Sequence, residues 1–355
     1  MQRRVSVPGA VLLEHRFEVP LDHAQPDGER IEVFAREMRA PRAVDEERPY
    51  LLVLNGGPGS PNTRPTGADG WLGLALEEFH VMLLDQRGTG LSTPADARTI
   101  PRRGDARAQA DYLAHFRADA IVHDAEALRV RLGVERWSAL GQSYGGFVAT
   151  TYLSQAPEGL REVFITGGLP PVGVAVDDLY RSLVERHEKR LELYFERYPE
   201  DRERWERVEQ RWLRTVSREA GMSTGLERMH YVVEHGPGTF MFEEEARREA
   251  SLATTPLYAL LHEAIYAEGE ATRWAAHRVV EERGGLAALL PGEMIFPWMF
   301  EDDPGLQPLA AAAELLAEKD DWPALYDPDR LRANEVPVFA AVYLEDPYVD
   351  AAFSQ

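Results

Sequence analysis

Ser143 is the residue whose setting says most about chemistry. It lies in Gly141-Gln142-Ser143-Tyr144-Gly145-Gly146, after a short apolar run at 137–140 and before FVATTYL at 147–153. The first run reads as a buried strand and the second as the packed face of a helix. A serine on such a sharp strand-to-helix turn projects its hydroxyl away from the sheet, and a side chain at 141 or 145 would collide with the neighbouring strand or helix. The helix that starts there aims free N–H groups and its positive dipole end at charge developing beside the serine. The implied chemistry is nucleophilic attack on an acyl carbon.

Three further stretches belong with the serine. Asn55-Gly56-Gly57-Pro58-Gly59 follows the apolar run 50–54. Glycines there let backbone N–H groups approach a substrate carbonyl and form half of an oxyanion hole, with the Tyr144 N–H as the other half. Asp85-Gln86-Arg87-Gly88-Thr89-Gly90-Leu91-Ser92 follows the run 81–84 and reads as structural, Asp85 and Arg87 bracing neighbouring loops. A serine hydroxyl also needs a histidine to take its proton, and that histidine needs a carboxylate to fix its tautomer. With the chain order serine, acid, histidine, Asp346 fits the acid, and Glu345 and Asp350 are rivals. All ten histidines lie between positions 15 and 277, so none follows Asp346. Three explanations rank in this order: the 355 residues omit a C-terminal part carrying the base, His262 or His277 substitutes, or the chain is an inactive relative.

The elements that must position these groups can be read from periodicity. Residues 15–23 and 30–39 read as strands joined by Gln25-Pro26-Asp27-Gly28. The continuous apolar runs at 50–54 and 81–84 suit strands buried on both faces of a mostly parallel sheet. Ile121, Val122, Ala125, Leu128 and Leu132 mark a helix over 117–133, and a strand at 163–166 continues the βαβ alternation. Together with the serine turn this is the α/β-hydrolase pattern, a mostly parallel sheet flanked by helices. From 176 to 325 long helical patterns dominate, which predicts an inserted helical lid or cap. The expected organisation is a core over 1–175, the lid over 176–325, and a resumed core over 326–355. A buried parallel strand is expected at 336–344, with the C-terminal part of the sheet missing after it.

Composition narrows the function classes. The chain has 355 residues, 44% of them hydrophobic and 28% charged, which suits a globular enzyme with one large core plus an insertion. Its net charge of −21 disfavours nucleic acid and anionic membranes as partners. There is no cysteine, which removes disulfides, thiolate zinc sites and a cysteine nucleophile. No His-rich cluster has metal-ligand spacing, so neither a metal nor another cofactor is expected. The N-terminus lacks the apolar region of a signal peptide and no apolar stretch is long enough to cross a bilayer, which makes the cytoplasm the expected compartment.

NGGPG, DQRGTGLS and GQSYGG in this order, with FEVPLDH near the N-terminus, resemble the proline iminopeptidases (prolyl aminopeptidases), most closely their longer bacterial branch. RADAIVHDAEALRVRLG, LLHEAIYAEG and GEMIFPWMF look like that branch too, so the resemblance runs from about residue 15 to the end. Many members carry His where this chain has Asn55, a position that is not the catalytic base. The resemblance implies release of an N-terminal residue, preferentially proline, from a peptide with a free N-terminus through an acyl-enzyme. Ser143 would attack, the N–H groups of Gly57 and Tyr144 would hold the oxyanion, and Asp346 would orient a histidine. In the family, buried lid carboxylates recognise the substrate amine, because a desolvated ammonium needs a countercharge. Glu263 and Glu293 are the candidates here, with Tyr266, Phe296 and Trp298 walling a proline-sized pocket. An esterase or amidase acting on small acyl substrates, or a non-catalytic relative, are the alternatives the same scaffold allows.

Overall fold

The structure is a computed structural model and describes residues 4–248, 252–286 and 289–354. Met1 and Gln355, the outer limits of the expected core segments, lie outside the described residues. Eight strands form one sheet: β1 (Arg4–Val7), β2 (Ala10–Pro20), β3 (Arg30–Arg39), β4 (Tyr50–Leu54), β5 (His80–Asp85), β6 (Trp137–Gln142), β7 (Leu160–Thr166) and β8 (Val338–Ala341). Their spatial order is β1-β2-β3-β5-β4-β6-β7-β8. β1, β2, β3 and β5 pair antiparallel, and from β5 across to β8 every pairing is parallel.

The apolar runs behave as strands covered on both sides, because alternate residues feed two cores. Leu52, Leu54, Met82 and Leu84 pack with helices α3 (Ala118–Arg131) and α4 (Tyr144–Gln155), which supply Val122, Leu128 and Val148. Val53, Val81 and Leu83 point the other way, toward Leu76 of α1 (Trp71–Glu78). Another short helix, α2 (Ala106–Leu113), is capped by Asp105, whose side chain accepts from the Ala108 N–H. The loop after β5 braces its neighbours. Asp85 accepts from the backbone N–H groups of Asn62 and Leu91, and the buried Arg87 grips both carboxylate oxygens of Asp124.

Between β7 and β8 the described residues form helices and no strand. They include α5 (Val176–Arg197), α6 (Arg202–Trp205), α7 (Gln210–Ser217), α8 (Gly225–Glu234), α9 (Phe240–Arg247) and α10 (Pro256–Leu261). Then come α11 (Ala275–Glu282), α12 (Met299–Asp302), α13 (Ala310–Ala317) and α14 (Pro328–Arg332). The fully buried Arg117 at the start of α3 ties this layer down, donating to the carbonyls of Ala264, Ala267 and Pro323. Among the described residues no helix is long and apolar enough to cross a membrane.

Two strand expectations need correction. The first strand begins at Ala10 and ends at Pro20, instead of spanning 15–23, because it forms a hairpin with β1 through the turn at Pro8 and Gly9. The late strand is parallel as expected but not buried: it covers only Val338–Ala341, and all four residues are exposed. Among the described residues it pairs only with β7, and its apolar residues meet solvent.

Candidate active site

β6 delivers Ser143 to the crest of the sheet with φ 53° and ψ −125°, a conformation that non-glycine residues avoid and that costs on the order of 1–3 kcal/mol. Two backbone hydrogen bonds hold it there. The Ser143 N–H donates to the Thr166 carbonyl at 3.0 Å, and the Gly146 N–H donates to the Ser143 carbonyl at 2.7 Å. A Cβ at position 145 would fall on the Leu54 carbonyl oxygen at the end of β4, so only glycine lets α4 start this close to the sheet. The loop 55–59 lies directly against the serine: a Cβ at position 56 would stand 3.2 Å from Ser143 Cβ. Asn55 fixes that loop by donating from its amide to the Pro61 carbonyl at 2.8 Å, while its own carbonyl accepts from Gln86.

Ser143 is partly exposed and opens on a cavity of about 420 Å3, whose wall also includes Gly57, Tyr258 and Glu293. The Tyr144 N–H is the first of α4, one of the four that a helix leaves without an intrahelical acceptor. The Tyr144 side chain turns into the core, where burial raises its pKa and its hydroxyl finds no partner. Of the two residues whose N–H groups are expected to receive an oxyanion, Gly57 lines the cavity with Ser143 and Tyr144 follows the serine as the first residue of α4.

Asp346 lies five residues beyond the end of β8. Its Oδ1 accepts the N–H groups of Tyr348 at 2.8 Å and Val349 at 3.2 Å. Burial raises its pKa, opposed by those two N–H groups and by Arg186. The rival Asp350 is buried and committed to Arg186 and Ser182, and Glu345 is exposed. Neither substitute histidine reaches the serine. His262 is packed between the rings of Tyr258 and Tyr266, and burial, reinforced by Arg214, holds its pKa down at about 3. His277 lies beside the Phe296 ring. Among the described residues no histidine lines the cavity or hydrogen-bonds the Ser143 hydroxyl, so where these two pack does not favour the second-ranked explanation, a substitute histidine as base.

The five residues expected to bind substrate separate. Glu293 lines the serine cavity, and burial pushes its pKa up to about 7 against the pull of Arg214 and Arg218, with Asp346 adding to the rise. Glu263 lies outside that cavity and caps α11: its two oxygens accept the N–H groups of Ala275 at 3.0 Å and Ala276 at 2.9 Å. Phe296 is fully buried, stacked on Trp298 with centroids 5.8 Å apart, which makes it core. Trp298 lines an adjoining cavity of about 340 Å3. Tyr266 packs edge-on against Phe147 of α4, beneath the site. Three arginines not expected from the sequence, Arg214, Arg218 and Arg248, line the serine cavity with Thr254 and Thr255. Arg214 and Arg218 sit four residues apart at the end of α7, a spacing that could have marked a shared face.

The α/β-hydrolase-fold family model matches residues 49–240, a span that holds Gly57, Ser143 and Arg214. The proline iminopeptidase of Aeromonas sobria is 43% identical over 372 residues, covering 96% of this chain and 87% of that one. A proline iminopeptidase of Aspergillus aculeatus is 36% identical over 376 residues, covering 95% of this chain and 83% of the relative. The chain belongs to the proline iminopeptidase family. Glu293 and Asp346 of this proline iminopeptidase-family chain lie beyond the span of the family model, so what is said of them rests on geometry.

Proposed function

We propose that the protein is a serine aminopeptidase that releases an N-terminal residue, preferentially proline, from peptides through an acyl-enzyme. The observation that carries this reading is a strained Ser143 opening on one cavity with Gly57 and Glu293, in a chain 43% identical to a proline iminopeptidase. In this reading Ser143 Oγ attacks the carbonyl carbon of the first residue, and the N–H groups of Gly57 and Tyr144 receive the oxyanion. The C–N bond then breaks, and the proton taken from Ser143 passes to the departing amine. Water attacks the resulting ester, a proton returns to Ser143, and the free amino acid leaves. Glu293 supplies the countercharge for the substrate amine, and residues 176–325 act as the lid that holds it over the serine. Asp346 is the carboxylate placed to orient an imidazole base, which none of the described histidines supplies.

The test is turnover of prolyl β-naphthylamide and of p-nitrophenyl acetate, each measured with and without added imidazole. Prolyl amide cleavage that added imidazole raises and that Ser143→Ala abolishes is the expected result. Ester cleavage with no amide cleavage under either condition overturns the aminopeptidase reading.

A further inference from the structure

Arg214 is the least expected group in the serine cavity. Its side chain is 5% exposed, its Nε has no hydrogen-bond partner, and among the described residues no carboxylate lies within ion-pair distance of it. Its guanidinium stands 5.3 Å from the centre of the Tyr258 ring, and that tyrosine donates to the Glu293 carbonyl. A buried guanidinium with an unsatisfied Nε is costly, and unsatisfied buried polar groups are rare enough to call for an explanation. Glu293 lines the same cavity, and Arg214 is the charge that most opposes the rise in its pKa. Arg218 and Arg248 face the same cavity, with Arg248 also paired to Glu245. In a chain of net charge −21, three arginines around one cavity concentrate positive groups there.

Building on the aminopeptidase reading, we propose that Arg214, supported by Arg218 and Arg248, binds the C-terminal carboxylate of a short peptide. The preferred substrates are then di- and tripeptides with a free carboxylate. The planar guanidinium accepts a carboxylate in bidentate fashion, which an amide cannot reproduce. Each extended residue adds roughly 3.3–3.6 Å, so one or two residues beyond the scissile bond keep the carboxylate within reach of a cavity this size. Arg214 also lines the adjoining cavity that holds Trp298, which leaves apolar space next to the guanidinium for the side chain of the second residue.

The experiment is equilibrium binding of Pro-Ala and Pro-Ala-amide to Ser143→Ala protein, so that it does not depend on turnover. The acid is expected to bind at least tenfold tighter than the amide. In a background that also carries Arg214→Gln, that ratio falls to within twofold. Because Arg214 is buried, Arg218→Gln is the second variant, and being exposed it is expected to lower the ratio without unfolding the chain. Equal binding of acid and amide, no binding of either, or a ratio unmoved by both substitutions overturns the proposal. Failure of the aminopeptidase reading shows separately, as no prolyl amide turnover by the wild-type chain.

Discussion

At the level of single residues, Glu293 decides how the site answers to pH. Burial raises its pKa from the ordinary glutamate value to about 7, so its carboxylate is mostly neutral at pH 6 and mostly charged at pH 8. An amine needs the charged form, so the affinity for free proline should rise through this range, by up to about tenfold per pH unit below pH 7, and level off above it. The sign for stability is opposite. A carboxyl group that holds its proton more tightly when folded loses stability as pH rises from about 4.5 to 7. Inhibition constants for proline from pH 5 to 9 check the first point, and Glu293→Gln is expected to bind weakly with no pH dependence. A wild-type profile that is flat would remove Glu293 as the amine's partner. Ser143 and Gly57 could be singled out in the sequence by glycine spacing, and Glu293 by the family resemblance of GEMIFPWMF; the structure puts all three around one cavity. Arg214 was not, since WLRTVSRE reads like any solvated helical face and only tertiary packing reveals which arginine is enclosed. Glu263 misled for a related reason: its partners, the N–H groups of Ala275 and Ala276, are twelve and thirteen residues away, at a helix start that periodicity does not announce.

Among the elements, α5 matters most, because it joins the helical layer to both acidic loops of the site. His187 on α5 is 1% exposed, its ring centre is 5.8 Å from that of Tyr348, and a Cβ at Gly292 would stand 3.0 Å from its Cε1. The helix therefore meets the loop of Glu293 and the segment after Asp346 at one imidazole. Burial holds the His187 pKa down at about 3. Between that value and the ordinary 6.5 the unfolded chain binds a proton that the folded chain does not, so stability falls as pH falls. From pH 7 to pH 5 one such group accounts for a loss of about 2 kcal/mol. Denaturant unfolding at both pH values should show His187→Gln losing about that much less than wild type, whatever its own stability at pH 7. An equal loss in both proteins would mean that the ring is already charged or exposed in the fold. α5 itself was foreseen from its helical pattern, as were β4, β5, β6 and α4, because continuous apolar runs and 3.6-residue periodicity survive in the sequence. β1 was not, because its alternation of Arg4, Val5, Ser6 and Val7 is short and half polar.

For the whole molecule, charge and the sheet edge work against each other. Among the described residues β8 is the outermost strand on its side of the sheet, with Val338, Phe339, Ala340 and Ala341 all exposed, and Val342, Tyr343 and Leu344 continue the apolar surface. An open apolar edge is a template for pairing with another copy. The net charge of −21 opposes that pairing by long-range repulsion, which salt screens over about 10 Å at 0.1 M and about 3 Å at 1 M. The chain should therefore scatter light as a single copy at low salt and gain mass as sodium chloride is raised toward 1 M. Ala340→Lys adds a charge to the edge while removing no packed side chain, and is expected to hold the single-copy mass to higher salt. Burying apolar surface, in contrast to pairing ions, is not weakened by screening, so the direction of the salt response identifies the force involved. A mass that stays constant across the titration, or a lysine variant that follows wild type, would exclude the β8 edge as the site of self-association.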